Sequence, residues 1–146
     1  MTKRKACIFD VDGTLALHDG IRNPYDTAKC LDDKPNGPVI ELLSLYCAAG
    51  YRIIICSGRE DRFMDLTCDW LKEHVGLLAP GYSYDIHMRK TGDTRPDNAI
   101  KEEIYNAHIK DKYDVRAVVD DRLRVCRIWH KLGLPLFRVG DPEANF

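Results

Sequence analysis

The stretch Ala6-Cys7-Ile8-Phe9-Asp10-Val11-Asp12-Gly13-Thr14-Leu15 decides how the chain is read. An apolar run ends abruptly in two aspartates one residue apart, and Gly13 and Thr14 follow at once. Such a run suits a strand buried in a parallel sheet, which needs turn chemistry where it leaves the core. Two carboxylates at that exit, on backbone bent by glycine, would face the crevice where open α/β sheets bind ligands. The alternative is a strand followed by an acidic surface turn, since Asp-Gly is common in turns. Two later strands end in the same way, and that favours function.

Outward from this stretch, Tyr51 to Cys56 is a second β-rich run, ending in Ser57-Gly58-Arg59. Val115 to Val119 is another, ending in Asp120-Asp121, and Tyr84 to Met88 and Leu134 to Val139 supply two more. Residues 15–37 are polar and punctuated by glycine and proline, which predicts a long loop with a small flap. Apolar spacing predicts helices from Pro38 to Ala49, over 60–75, from Pro96 to about Ile109, and up to Leu132. The alternation β-α-β-α-β-α-β-α-β, with loops short enough for right-handed crossovers, predicts an α/β fold with a doubly wound parallel sheet. One domain is expected over residues 1–146, with minimal or no cap, because fewer than fifty residues separate Asp12 from Ser57.

Composition narrows the function classes. Net charge is -1 and the pI about 6.5, so no global basic field advertises nucleic-acid binding, and a polyanion must be held by a local patch. The six cysteines include no C-x-x-C pair and read as reduced, buried small hydrophobes of a cytoplasmic protein. The opening Met-Thr-Lys-Arg-Lys lacks the apolar run of a signal peptide, and no stretch is long enough to span a membrane. The five histidines are scattered without ligand spacing and are expected on the surface or in the core.

In a parallel sheet the C-terminal ends of the strands share one edge. Asp10, Asp12, Ser57, Arg59, Asp120 and Asp121 therefore converge on one crevice. At about 4 Å a like-charged pair costs on the order of 4 kcal/mol at an effective dielectric near 20. Four carboxylates are stable there only if some are protonated or a cation lies among them. Hard oxygen ligands suit magnesium, and magnesium suits a phosphate substrate. Asp97 and Lys101, four apart on one helix face, form a pair that is commonly just solvated. Their place before the fourth strand gives Lys101 a charge-neutralising role to play. Ser57 suits either a turn serine or a donor to phosphate oxygens, and Arg22 in the long loop reads as a surface arginine.

Together, Phe9-Asp10-Val11-Asp12-Gly13-Thr14, Ser57, Lys101 and Asp120-Asp121 resemble the four motifs of the haloacid dehalogenase (HAD) superfamily of phosphotransferases. Further blocks are similar to the 3′-phosphatase domain of phage-type polynucleotide kinase/phosphatase. They are Pro24-Tyr25-Asp26, Lys29-Cys30, Gly50-Tyr51, Ser57-Gly58-Arg59-Glu60, Gly92-Asp93-Thr94-Arg95, Lys101-Glu102-Glu103-Ile104 and Asp120-Asp121-Arg122. The resemblance runs from about Ile8 to Phe137. No G-x-x-x-x-G-K-[ST] occurs, so no kinase activity is expected of this chain.

The resemblance implies a magnesium-dependent polynucleotide 3′-phosphatase. Asp10 would be the nucleophile that forms an aspartyl-phosphate, and Asp12 the general acid and base. Ser57 and Lys101 would hold the oxygens of the transferring group, with Asp97 orienting Lys101. Asp10, the carbonyl of Asp12, and Asp120 or Asp121 would bind the metal, and Arg22 and Arg59 the polynucleotide end. It also implies nucleic-acid 3′ ends as substrate and a kinase or ligase as partner in end healing. Two rivals stay open: a small-molecule phosphatase of the same superfamily, and a receiver-type phospho-acceptor module. A receiver, however, carries adjacent acids after its first strand and a lone acceptor aspartate later, the reverse of the order here.

Overall fold

The computed structural model describes residues 2–18, 20–76 and 84–146. The main sheet has five parallel strands: β1 (Arg4–Phe9), β4 (Arg52–Glu60), β5 (Asp85–Arg89), β6 (Tyr113–Asp120) and β7 (Leu136–Arg138). Their order is β5-β4-β1-β6-β7. The opening apolar run thus forms the central strand. Its alternate side chains serve two cores. Cys7 and Phe9 pack with Val39, Leu43, Trp70 and Leu71 beneath helices α1 (Gly37–Ala48) and α2 (Met64–Val75). Ala6 and Ile8 pack with Ile100, Ile104, Val125 and Trp129 beneath α3 (Asp97–Ile104) and α4 (Leu123–Lys131). A strand buried on both faces has no polar side to show, which is why its sequence lacks alternation.

The predicted long loop carries the expected small flap, a two-stranded ribbon of β2 (Ala16–Leu17) and β3 (Lys34–Pro35). A 3₁₀ turn over Thr27–Asp32 lies between them. With α1 and the start of β4, these are the elements between Asp12 and Ser57 among the described residues, and none of them makes a large cap.

Several boundaries differ from expectation: α2 begins at Met64, and β5 and β7 run over Asp85–Arg89 and Leu136–Arg138. Strand β4 continues through Ser57-Gly58-Arg59 to Glu60, because a bulge opposite β5 absorbs the extra residues: Ser57 pairs with Met88 and Glu60 with Arg89. Bulges re-aim side chains next to active sites. The third helix ends at Ile104, and a π turn over Tyr105–Ile109 completes the predicted span. Cys7, Cys30, Cys56 and Cys126 are buried and all six cysteines are free. Among the described residues no helix is long and apolar enough to cross a membrane.

Candidate active site

Strand register builds the site. Phe9 lies beside Ile55 of β4 and Val119 of β6, so Asp10 and Asp120 leave the sheet at one level and Ser57 lies one residue beyond it. The Asp10 backbone N–H donates to the Val119 carbonyl at 3.0 Å, carrying the ladder to the edge of the site. Beyond that edge a cleft of about 600 Å³ opens, with Asp10, Asp12, Lys101, Asp120 and Asp121 in its lining.

Lys101 holds the floor together. Its buried ammonium donates to Asp10 Oδ1 at 2.8 Å and Asp120 Oδ2 at 2.9 Å. Burial alone would lower the lysine pKa, but Asp10 and Asp120 outweigh it and hold it well above the usual range. Asp120 also accepts from Trp129 Nε1 at 3.2 Å and from the Asp121 backbone N–H at 2.9 Å. Thr14 Oγ1 donates to Asp10 Oδ2 at 3.1 Å and lies 3.4 Å from Asp121 Oδ1. Gly13 makes this approach feasible: its φ is +83°, and a Cβ there would stand 2.1 Å from Asp121 Oδ2.

The donor set fits a hard divalent cation. Carboxylate oxygens of Asp10, Asp120 and Asp121 lie within 4.8 Å of one another, and Lys101 pairs with only two of them, Asp10 and Asp120. Burial first, and Asp120 next, push Asp10 well above the usual carboxylate range, and the same causes raise Asp121. An added cation would reverse that imbalance.

Asp12 stands in a different environment. Arg59 forks onto it, Nε to Oδ2 at 2.9 Å and Nη2 to Oδ1 at 2.7 Å, and Arg22 Nη2 adds a bond to Oδ1 at 3.1 Å. Burial would raise Asp12, but the Arg59 hydrogen bonds and charge, with Arg22 behind them, hold it below the usual range. Both arginines also bind Asp33, which is buried: Arg22 Nε at 2.7 Å and Arg59 Nη2 at 3.2 Å. Arg59 Nη1 donates to Thr67 Oγ1 at 3.0 Å.

Residues 4–144 match the family model for the polynucleotide kinase PNKP phosphatase domain. The chain belongs to this family. It is 32% identical over 133 residues to a protein of Autographa californica nuclear polyhedrosis virus named as a candidate bifunctional polynucleotide kinase/RNA ligase. That match takes in 90% of this chain and 18% of the viral protein. A chain in the solved Pnkp1/Rnl/Hen1 RNA repair complex superposes with a TM-score of 0.87 at 37% identity, over 97% of this chain and 44% of that one. The chain thus spans less than half the length of either relative. A class C acid phosphatase from Bacillus anthracis, 16% identical with a TM-score of 0.66 over 99% of this chain and 70% of that one, shares the fold. The HAD-like resemblance read from the motifs is thereby shown, and the chain is a phosphoric monoester hydrolase.

As a member of this phosphatase family the chain brings Asp10, Asp12, Lys101, Asp120 and Asp121 together as expected. Ser57 is buried in β4, next to Gly58 of the cleft lining, and its Oγ accepts from the Arg59 backbone N–H at 3.1 Å. A hydroxyl that accepts one bond keeps its own proton to donate. Arg22 departs from the surface position expected of it. Its side chain is 1% exposed, and its donors serve Asp33, Asp12 and the carbonyls of Asn23 and Pro24. Asp97 departs too. Lys101 bonds Asp10 and Asp120, while Asp97 accepts from Arg89 and, at 2.7 Å, from Arg122 Nη1. The bulge after Ser57 and the absence of a Gly58 Cβ, which would stand 2.7 Å from Asp97 Oδ1, bring that carboxylate against β4.

Sequence reasoning missed Asp33, one aspartate in an acidic loop with no spacing signal. It also set aside His18, which lines the cleft beside Asp12. Arg122 was within reach, since it follows the Asp120-Asp121 pair directly.

Proposed function

We propose that this phosphatase removes the 3′-phosphate from polynucleotide ends. The observation that carries the reading is the pair of unlike carboxylates in one open cleft. Asp10 is bound to Lys101 beside Asp120 and Asp121, and Asp12 is clamped by arginine. Family membership supports a polynucleotide substrate, and a cleft without a large cap has room for a strand end.

In the first step an Asp10 carboxylate oxygen bonds to phosphorus as the bond to the 3′ oxygen breaks. Asp12, ionised against its arginines in the free protein, takes up a proton as the phosphate dianion binds beside it and gives that proton to the leaving oxygen. In the second, water attacks the aspartyl-phosphate, Asp12 takes the proton back, and inorganic phosphate leaves with Asp10 restored. The Lys101 ammonium, with two donors on Asp10 and Asp120, has a third for a phosphoryl oxygen, and the Ser57 hydroxyl gives another. Arg22 and Arg59 act chiefly by fixing Asp12, with Arg59 lining the cleft as well. Asp10, Asp120, Asp121 and the Asp12 carbonyl would hold magnesium, which would supply the positive charge that lets a carboxylate approach a phosphate. Asp97 sets Arg89 and Arg122 at the cleft wall, where they face an incoming anion. A kinase or ligase partner supplies the rest of end healing, and the reaction runs in the cytoplasm.

The test is phosphate release from oligonucleotides bearing a 3′-phosphate or a 5′-phosphate, with and without magnesium. Release from the 3′-phosphate alone, abolished by chelation, is expected. Equal release from both ends, or no oligonucleotide turnover beside good turnover of small phosphomonoesters, would overturn it.

A further inference from the structure

The Pro24-Tyr25-Asp26 segment has no part in the chemistry above, yet it forms one rim of the cleft. Tyr25 is 93% exposed and stands in the lining together with Asp10 and Asp12. A lone exposed aromatic ring is ordinary on a protein surface. What sets this one apart is the rigidity of its support. The peptide group that carries Tyr25 is held at both ends: Arg22 Nη1 donates to the Pro24 carbonyl at 3.0 Å, and the Tyr25 N–H donates to Asn23 Oδ1 at 2.9 Å. The same Arg22 guanidinium reaches Asn23 O at 3.2 Å and Asp12 Oδ1 at 3.1 Å. Asp26 N–H closes the turn on Asn23 O at 2.9 Å. The ring therefore stands in solvent on backbone tied, through one buried guanidinium, to the carboxylate that serves the leaving oxygen.

We propose that Tyr25 is a stacking platform for the nucleobase of the substrate's terminal nucleotide, which makes the substrate a single-stranded or frayed end. This rests on the polynucleotide reading above. A ring presented on fixed backbone loses little entropy when a base settles on it. Stacking suits any base, because every base offers a π face, and it favours an unpaired base that is free to leave its neighbours. Arg22 then has two tasks, setting the charge on Asp12 and setting the distance from Asp12 to the platform.

The experiment is a two-by-two comparison of kcat/KM. Wild type and Tyr25→Ala are each assayed on a single-stranded 3′-phosphate oligonucleotide with either a base or an abasic sugar at its last position. Removing the base should cost the wild type about tenfold or more, mostly in KM, and cost Tyr25→Ala little further. Tyr25→Phe, which keeps the ring and loses only the hydroxyl, should retain the wild-type sensitivity. Equal sensitivity to base removal in wild type and Tyr25→Ala overturns the platform and leaves the 3′-phosphatase standing. A Tyr25→Phe variant as insensitive as Tyr25→Ala overturns it as well. Wild type that releases no phosphate from either oligonucleotide overturns the polynucleotide reading, and the platform with it.

Discussion

Arg59 and Asp12 meet as fork on fork, with nitrogen–oxygen distances of 2.9 and 2.7 Å, across forty-seven residues of sequence. The strand end expected to present Arg59 to the substrate turns it onto Asp12, the carboxylate proposed to move protons, while Arg59 also lines the cleft. Bidentate geometry of this kind is not reproduced by a lysine.

Arg59→Lys should therefore damage catalysis on every substrate, not only on oligonucleotides. We expect kcat/KM to fall roughly ten- to a hundredfold on both a 3′-phosphate oligonucleotide and an aryl phosphate, on the scale of a lost charged hydrogen bond. Arg22→Ala should also lower both, because its side chain is buried against Asp33 and Asp12, and the oligonucleotide further, because it holds the turn that carries Tyr25. Steady-state assays on the two substrates check this. A loss confined to the oligonucleotide would return both arginines to strand binding.

Lys101→Met should leave Asp10 and Asp120 facing each other without their ammonium. Breaking a buried ion pair from one side costs about 3–5 kcal/mol, so thermal stability should drop well below wild type. Magnesium should restore part of it, because the cation replaces missing charge, and the magnesium-induced rise in Tm should exceed that of wild type. Melting curves across a magnesium titration measure this. An identical rise in both proteins would place the cation elsewhere.

Gly13→Ala meets two obstacles, a φ of +83° and a Cβ 2.1 Å from Asp121 Oδ2. We expect the fold to survive, since the turn lies at the sheet edge, while Asp121 is displaced and the magnesium-dependent Tm shift shrinks. Circular dichroism and the same titration separate these effects. A normal magnesium response would show that Asp121 is no metal ligand.

Acid stability should depend on Asp85, away from the cleft. Arg52 Nη2 stands 2.5 Å from Asp85 Oδ1, and Tyr113 Oη donates to Oδ2 at 2.6 Å. Burial would raise this carboxyl, but the Tyr113 hydrogen bond and the Arg52 ion pair outweigh it and depress it. A depressed folded pKa contributes stability that is present above the unfolded value of about 3.9 and lost as pH falls through the folded value. Urea unfolding should thus show the wild type's advantage over Asp85→Asn at neutral pH and its decline below about pH 4. A difference that does not change with pH would assign the effect to packing.

Much of this protein was determined by its sequence alone. The unbroken apolar run from Ala6 to Phe9 can be satisfied only by burial on both faces, so it had to become the central strand of a parallel sheet. Parallel strands end together, and that brought Asp10, Asp12, Ser57 and Asp120-Asp121 to one edge before any coordinate was known. Tertiary structure alone decided the partners of the charges. Arg22 and Arg59 converge on Asp33, a loop aspartate that no periodicity marks, and Asp97 turns to Arg89 and Arg122 rather than to Lys101 four residues on. Apolar periodicity records which face of an element is buried. The choice of carboxylate for a guanidinium depends on the bulge at Arg59 and on the path of the flap. Both are set by packing between segments distant in sequence, and neither leaves a local pattern.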